Sequence, residues 1–352
     1  MVVSLAFKQL LTTLAVVGLG LPFLTQPAWS TDIAAIDRTT ITEPGIAPPP
    51  VPDPLPGEQQ PDRSPDFRVS ALLRDLGGNL WIGTWQGLAQ IDPNTGRILA
   101  RVPIPNLITT AIVQDKVGRI WVGTQEGLIR VDPRRKEVTA QNISLPANRV
   151  LSLLIDRRGY LWVGTDRGLV LVSPDQGLIM TTLQNLPGVS ATALSLGIDG
   201  HLWVGTLEGL VKVDTAKAKI LNQIPEIPGG AVQALSSDRF GMVWAATPGG
   251  LLEIDPRRGR VKRSVTQLRG RVINTIRFDR RGSLWLGSNE GLFRLNPYNG
   301  AVLGQIGGLP SNNVLAVAPD AGNKLWVGTS EGLSWVSLSD FRSRPHLAFT
   351  AP

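Results

Sequence analysis

Short runs of apolar residues alternate with polar turns from about residue 67 to the end of the chain. In one such unit, apolar runs cover residues 150–155, 161–165, 169–173 and 178–183, and Asp156, Gly159 and Gly168 stand between them. Short apolar runs bounded by Asp and Gly predict β strands joined by tight turns. Apolar side chains fall on both faces of the first run, whereas a sheet with one wet face would alternate. We therefore predict four-stranded antiparallel sheets that are buried on both faces.

The unit recurs around seven tryptophans. Trp81, Trp121, Trp162, Trp203, Trp244, Trp285 and Trp326 follow one another at steps of 40 or 41 residues. Every copy has Gly six and Leu seven residues after its tryptophan, and every copy but the fourth, which has Gly197, has Asp six residues before it. A period of about 40–45 residues built from short strands is typical of propeller blades. The sequence predicts an all-β, seven-bladed β-propeller over residues 67–350, with four antiparallel strands in each blade.

The repeated positions also predict how the blades are held. The Asp carboxylate is expected to bond the backbone of its own turn. Each tryptophan is expected to wedge between two blades. The residue ten positions before it is Ala, Ser or Thr in every copy, which suits the crowded innermost strand.

The sequence leaves two alternatives for the strand that completes blade seven and closes the ring. The fourth strand of blade seven would fall near residues 341–347, but this stretch contains Pro345, which a strand tolerates only at an edge. Residues 33–41 have a better strand pattern, and they are an alternative fourth strand for blade seven.

The N-terminus has the pattern of an exported protein. Residues 1–30 contain one charge, Lys8, then an apolar run and the triplet Ala28-Trp29-Ser30, which predicts a cleaved signal peptide. An uncleaved anchor is the alternative, although the run falls short of the ~20 apolar residues that span a bilayer. Residues 31–66 form a proline-rich tether. We expect a periplasmic or extracellular protein with no stable transmembrane span after cleavage.

The repeated unit D-x-x-G-x-L-W-V-G-T-x-x-G-L, followed by [VI]-[DN]-P, resembles the two-component regulator propeller repeat. This repeat occurs in the periplasmic sensor regions of bacterial hybrid histidine kinases and in free-standing exported propellers. Sensors of the family commonly add a second propeller, an immunoglobulin-like domain, a membrane span and a kinase. The chain has room for none of these, so we expect any signal to pass through another protein.

Candidate ligand residues lie where propellers usually bind, on the face that carries the blade-to-blade connections and the turns between second and third strands. We call this the connection face. Its polar or aromatic residues that depart from the repeat are Phe67, Arg68, Trp85, Glu126, Asn148, Arg149, Arg167, Glu208, Arg271, Glu290, Asn312 and Glu331. They suit a protein partner or a polar or saccharide ligand. The alternative is that these turns are polar because they face water.

Trp85 is the sharpest departure, because sister turns have Gln, Asp, Leu, Pro, Asn or Ser at its position. It is either an exposed aromatic platform for a sugar or a partner side chain, or it packs on the tether or on Phe67.

Positive charge is concentrated in one segment. The chain has 35 basic and 28 acidic side chains, but residues 257–281 hold ten basic side chains against Asp279 alone. The candidate site for an anionic surface partner comprises Arg257, Arg258, Arg260, Lys262, Arg263, Arg280 and Arg281. The alternative is that charges on an outermost strand block edge-to-edge aggregation. The segment has a single aromatic residue, Phe278, so we expect no nucleic-acid binding.

Catalysis has little support in the sequence. There are two histidines and no cysteine, and we find no nucleophile elbow or phosphate loop. We predict no cofactor and no metal site. The enzymatic alternative is a protein similar to streptogramin lyases, which are seven-bladed propellers with histidine and glutamate on the ligand face. His201 is expected on the opposite face. The preferred hypothesis is therefore non-catalytic recognition in the cell envelope, with a lyase-like enzyme or a purely structural scaffold as the alternatives.

Overall fold

The computed structural model describes residues 66–104, 107–142 and 145–350. Its strands form seven four-stranded antiparallel sheets, each made of strands that are consecutive in the chain. Neighbouring sheets pack against each other, and the last packs against the first, which closes a ring. The prediction of an all-β, seven-bladed propeller is confirmed. The predicted signal peptide and the predicted tether, apart from its last residue, lie outside the described residues.

Each blade contains one of the seven repeat tryptophans on its second strand, and we number the blades one to seven in chain order. Blades one to four comprise β1 (Val69–Arg74), β2 (Leu80–Thr84), β3 (Gly87–Ile91), β4 (Ile98–Pro103), β5 (Thr109–Gln114), β6 (Ile120–Thr124), β7 (Leu128–Asp132), β8 (Glu137–Asn142), β9 (Val150–Ile155), β10 (Leu161–Thr165), β11 (Gly168–Ser173), β12 (Leu178–Leu183), β13 (Ala193–Leu196), β14 (Leu202–Thr206), β15 (Gly209–Asp214) and β16 (Lys219–Ile224). Blades five to seven comprise β17 (Ala234–Ser237), β18 (Val243–Thr247), β19 (Gly250–Asp255), β20 (Arg260–Val265), β21 (Ile273–Phe278), β22 (Leu284–Ser288), β23 (Gly291–Leu295), β24 (Val302–Ile306), β25 (Val314–Ala321), β26 (Lys324–Thr329), β27 (Gly332–Ser337) and β28 (Ser343–Thr350), with a 3₁₀ turn at Thr266–Leu268 between blades five and six.

The turn between the first two strands of a blade is held by the repeated aspartate. Oδ1 of Asp156 accepts hydrogen bonds from the backbone N–H groups of Arg158, Gly159 and Tyr160. Gly159 has a φ of 100°, which a residue with a side chain rarely adopts. The second carboxylate oxygen accepts a hydrogen bond from the indole Nε1 of Trp162 at 3.2 Å. The aspartate therefore fixes both the turn and the orientation of the tryptophan.

The tryptophans are the wedges between blades. Each is at most 2% exposed and belongs to one of seven hydrophobic clusters, and each cluster joins its blade to the next. The cluster that closes the ring has the same construction as the others, with Trp326 of blade seven packed against Val69, Leu80 and Ile82 of blade one. Closure therefore uses side-chain packing of the kind found at every other interface.

Blade seven is completed by the C-terminal segment. β28 pairs with β27, and Ser334 lies opposite Pro345 in that pairing. The interpretation that Pro345 disfavours a strand here was wrong, because β28 is the outermost strand of its sheet and needs no ladder bond from that residue on its free side. The alternative strand at residues 33–41 lies outside the described residues, and its place on β27 is taken by β28.

A second set of contacts ties the blades together around the axis. At six interfaces a side chain near the start of an innermost strand is hydrogen-bonded to the backbone of the next blade. The pairs are Ser70 with Thr109, Thr110 with Val150, Ser152 with Ala191, Thr192 with Val232, Gln233 with Ile273, and Asn274 with Val314. At the interface of blades seven and one the corresponding residue is Leu315, which has no polar side-chain atom. Among the described residues, the interface of blades seven and one is therefore the one that lacks a side-chain hydrogen bond of this kind near the axis.

Candidate functional site

The connection face carries all twelve predicted ligand residues, on the turns and connections expected for them. Nine are exposed, whereas Phe67, Trp85 and Arg271 are half-buried. One contact joins two members of the set within the described ranges: Nε of Arg271 lies 3.0 Å from a carboxylate oxygen of Glu290. The guanidinium of Arg271 also lies over the ring of Phe293, 4.7 Å from its centre. The structure therefore brings together one ion pair on this face and no larger cluster of the predicted residues.

The repeated Thr or Ser at the end of each second strand explains the shape of these turns. Thr124 Oγ1 donates to the carbonyl oxygen of Gly127 and accepts from the N–H of Glu126. Equivalent bonds place Glu208, Glu290 and Glu331 at the same turn position in their blades. Their side chains extend into solvent. The turn chemistry accounts for the repeated hydroxyl without a ligand.

Trp85 is half-buried on its turn. Of the two interpretations offered by the sequence, an open platform and a packed side chain, the structure thus favours neither completely. No ring contact joins Trp85 to Phe67 in the described part of the chain, and the tether against which it was alternatively expected to pack lies outside that part.

The basic segment is split between two blades. Arg257 and Arg258 lie in the turn before β20, and Arg260, Lys262 and Arg263 lie on β20 itself, which is the outermost strand of blade five as predicted. Arg280 and Arg281 lie in the turn between β21 and β22 of blade six. Part of the charge is neutralised, because Lys262 and Arg263 both face the carboxylate of Glu253, at 2.8 and 3.4 Å.

A groove runs between blades five and six on the face opposite the connections. It has a volume of about 250 Å³. Three of the predicted basic residues, Lys262, Arg263 and Arg280, line it. The aromatic side chains of Phe240 and Tyr298 stand at its edge and are 58% and 61% exposed. Their ring centres are 6.2 Å apart in an edge-to-face arrangement.

Arg239 joins the two rings. Its guanidinium lies over Phe240, 4.9 Å from the ring centre, and its Nη2 donates a hydrogen bond to the hydroxyl of Tyr298 at 2.5 Å. Arg263 fixes the other side of Tyr298, because it donates to the backbone carbonyl oxygens of Pro297 and Tyr298. The aromatic pair is therefore held in place by two cations before any ligand arrives.

The acidic groups of the groove have other partners. Asp238 and Asp279 accept hydrogen bonds from the indoles of Trp244 and Trp285, at 3.2 and 2.9 Å. Glu253 is only 4% exposed, and its Oε1 accepts from Lys262. Its Oε2 is buried without a hydrogen bond. Cationic side chains thus surround an apolar floor that includes Phe278.

Sequence reasoning missed the aromatic half of this groove. Phe240 occupies a turn position where the sister blades have Gly77, Val117, Arg158, Asp199, Arg281 and Gly322. Tyr298 likewise replaces a residue that is neither aromatic nor, in five of the six other copies, apolar. The signal was present as two departures from the repeat, on the face opposite the connections.

The two histidines lie apart from each other. His201 lies in the turn between β13 and β14, on the face opposite the connections, as predicted. His346 lies on β28, where its Nε2 is 2.8 Å from the carbonyl oxygen of Gly96 and its ring contacts Trp326 and Phe349. Within residues 66–104, 107–142 and 145–350, no group of three His, Asp or Glu side chains has a geometry that would hold a metal ion. The same residues include no helix long and apolar enough to cross a membrane.

Three stretches of the chain match the profile of the two-component regulator propeller family, at residues 103–126, 144–167 and 308–331. Each stretch runs from the connection before a blade to the turn after its second strand. The resemblance inferred from the repeat is thereby confirmed. None of the curated proteins matches the chain in sequence.

Solved structures show the same fold at low identity. The extracellular domains of two putative hybrid two component systems from B. thetaiotaomicron are 22% and 21% identical, with TM-scores of 0.66 and 0.64. Each match covers 77% of this chain but only 38% and 40% of those domains, so the chain spans less than half of their length. A streptogramin B lyase is 14% identical with a TM-score of 0.66, over 78% of this chain and 94% of the lyase.

Proposed function

We propose that this chain is a non-catalytic recognition propeller that works outside the cytoplasm and binds an anionic ligand in the groove between blades five and six. The observation that carries the proposal is the exposed Phe240–Tyr298 pair, which Arg239 bridges and which Lys262, Arg263 and Arg280 flank. Exposed aromatic residues of this size, held rigid beside cations, are typical of binding hot spots.

The chemistry of the groove defines the kind of ligand. A flat ring, of a sugar or an aromatic group, has an apolar face that can lie on Phe240 or Tyr298. A carboxylate, sulfate or phosphate on the same ligand would be attracted by the surrounding cations. We therefore favour a ligand that combines a ring with a negative charge over a uniformly charged polymer.

The absence of catalysis belongs to the proposal and rests on the positions of the histidines. A lyase of the streptogramin type would need histidine and carboxylate groups together on the connection face. His201 is on the other face, and His346 is bonded and packed on an outermost strand. Likeness to the lyase extends to the fold, at 14% identity.

Location outside the cytoplasm is supported by the predicted signal peptide and by the extracellular domains that share the fold. Those domains are parts of putative two component systems, so a sensory role fits this chain as well. We propose that a ligand-bound propeller acts on a separate protein partner.

The first test is ligand binding to the full chain, measured as a rise in melting temperature and by calorimetry. The panel contains neutral oligosaccharides, the same oligosaccharides carrying carboxylate or sulfate groups, and aromatic carboxylates. A ligand that binds only the folded state raises the melting temperature by mass action. We expect a charged ring compound to bind, and a moderate salt concentration to weaken but not abolish binding.

Phe240→Ala and Val117→Ala are the matched variants. Val117 is 66% exposed and occupies the same turn position in blade two, away from the groove. Binding that is lost in Phe240→Ala and kept in Val117→Ala supports the groove. Binding that is unaffected by Phe240→Ala, or turnover of any ligand, contradicts the proposal. The connection face remains a second predicted surface, and loss of binding in Trp85→Ala with retention in Phe240→Ala would favour it.

A further inference from the structure

A channel runs along the axis of the ring and is lined by the innermost strands β1, β5, β9, β13, β17, β21 and β25. Its part toward the connection face has a volume of about 170 Å³, and its part toward the opposite face about 440 Å³. Most of the lining consists of Ala, Leu, Ile and Val, together with the hydroxyl and amide groups that bond the next blade. The surface of the channel is therefore mixed, with apolar side chains beside hydroxyl, amide and guanidinium groups.

The charged side chains of this lining are all of one sign. Arg277 lines both parts of the channel, and Arg74 lines the part toward the opposite face. No Asp or Glu is among the lining residues in the part of the chain that the structure describes. The channel is therefore positively charged along a stretch where nothing from the described chain balances the charge.

Arg277 differs from Arg119 and Arg158 in its partners. Its Nη1 donates one hydrogen bond, to the carbonyl oxygen of Ile276 at 2.9 Å, and no carboxylate of the described residues pairs with it. Arg119 and Arg158, by contrast, each bond a carboxylate at 2.6 and 2.9 Å. Its side chain is exposed inside the channel, and a cleft lined by charges of one sign attracts ligands of the opposite sign.

The fold does not require an arginine at this place. The corresponding residues of the other six blades are uncharged: Leu73, Val113, Leu154, Ser195, Ser236 and Ala318. Arg277 is therefore an addition to the repeat that places a positive charge in the channel.

We propose that Arg277 makes the central channel a binding site for a small oxyanion, either a carboxylate or a phosphate. A guanidinium has five N–H donors in a planar fork, and one of them is used by Ile276. The remaining donors suit two parallel hydrogen bonds to two oxygens of one anion. Arg74 adds a second positive charge on the side from which the wider part of the channel opens.

This site is separate from the groove between blades five and six. Phe278, the neighbour of Arg277 on β21, lines the groove and packs on Trp244, whereas Arg277 lines the channel. Changes in one site can therefore be tested without altering the residues of the other.

The test measures the melting temperature and anion affinity of the full chain at constant ionic strength, with chloride replaced stepwise by phosphate or by acetate. Arg277→Leu is the informative variant, because two sister blades carry Leu at this position and the fold accommodates it. Arg97→Gln is the control, since it removes one positive charge from an exposed turn of blade one. Arg277→Gln is a second variant of similar length that keeps a polar group in the channel.

We expect a saturable rise in the melting temperature of the parent and of Arg97→Gln, and an affinity at least tenfold weaker in both Arg277 variants. A stronger rise in melting temperature with phosphate indicates a phosphate ligand, and a stronger rise with acetate indicates a carboxylate ligand. In chloride alone, Arg277→Leu should be about as stable as the parent, because the guanidinium forms no ion pair and bonds only the carbonyl oxygen of the adjacent Ile276. An equal response in Arg277→Leu, no response in the parent, or a destabilisation of Arg277→Leu that is independent of the anion would overturn the proposal.

Discussion

The indole Nε1 of Trp285 donates a hydrogen bond to Oδ2 of Asp279 at 2.9 Å, and the other oxygen of this carboxylate accepts from the backbone N–H of Ser283. The same arrangement recurs in five of the seven blades. It explains why Asp and Trp are six residues apart in the repeat. In blade seven Trp326 instead donates to the carbonyl oxygen of Ala321, and Asp320 accepts from the N–H of Arg280.

Asp279→Asn should therefore destabilise the protein by about 1.5–3 kcal/mol, because a charge-assisted bond is lost and one buried donor is left without an acceptor. Asp320→Asn is the matched control, and we expect it to be nearly neutral. Urea unfolding of both variants measures the free energy of unfolding. Equal losses would mean that the bond to the indole contributes little.

Trp244→Ala should cost about 3–5 kcal/mol of unfolding free energy, because it leaves a cavity in the cluster that joins blades five and six. Trp335→Ala is the comparison, since Trp335 is half-buried and is not one of the repeat tryptophans. Its cost should be clearly smaller. Calorimetry on both variants measures the difference, and similar costs would contradict the role of the repeat tryptophans as wedges.

Thr192→Val should cost about 1 kcal/mol, because the hydroxyl of Thr192 bonds the carbonyl oxygen of Val232 in the next blade at 2.7 Å. The two side chains have nearly the same shape, so packing is little changed. Thr192→Ser keeps the hydroxyl and serves as the control. If the loss in Thr192→Ser is as large, the methyl group and not the inter-blade bond is responsible.

Acid should weaken the β3–β4 turn of blade one and its counterpart in blade two. The pKa of Asp92 lies below its ordinary value of 3.8, because the backbone N–H of Asn94 and the hydroxyl of Thr95 bond the carboxylate. The pKa of Asp132 is lowered by the N–H groups of Arg134 and Arg135. A carboxylate with a lowered folded-state pKa contributes stability above its unfolded-state pKa and loses it as the pH falls further.

Melting temperatures should therefore show a decline below about pH 3.9 to which these groups contribute. The double variant Asp92→Asn, Asp132→Asn should have a shallower decline. Asn suits these turns, since Asn296 at the same position of blade six accepts the N–H of Tyr298 at 2.9 Å. An unchanged decline would place the acid sensitivity elsewhere.

The blade number, the strand order and the wedge role of the tryptophans followed from the repeat, because seven copies in phase leave little freedom to the fold. The place of Pro345 in a strand did not follow from the repeat, since a strand tolerates proline only at the edge of its sheet and the repeat does not say which strand lies at the edge of blade seven. The groove was half predicted. Lys262, Arg263 and Arg280 were found by charge, whereas Phe240 and Tyr298 are 58 residues apart and meet only because their blades are neighbours. Arg277 was counted in the basic segment, but its position inside the channel depends on the twist of β21.

The four strands of each blade are consecutive in the chain. Blade seven is completed by β28 and not by a strand from the other end of the described chain. A whole unit can therefore be gained or lost by gene duplication or deletion without breaking a pairing between strands of different units. Such a change alters only the surfaces through which neighbouring blades pack. The architecture therefore permits growth by single units, and the repeat of the same motif positions in all seven units is compatible with it.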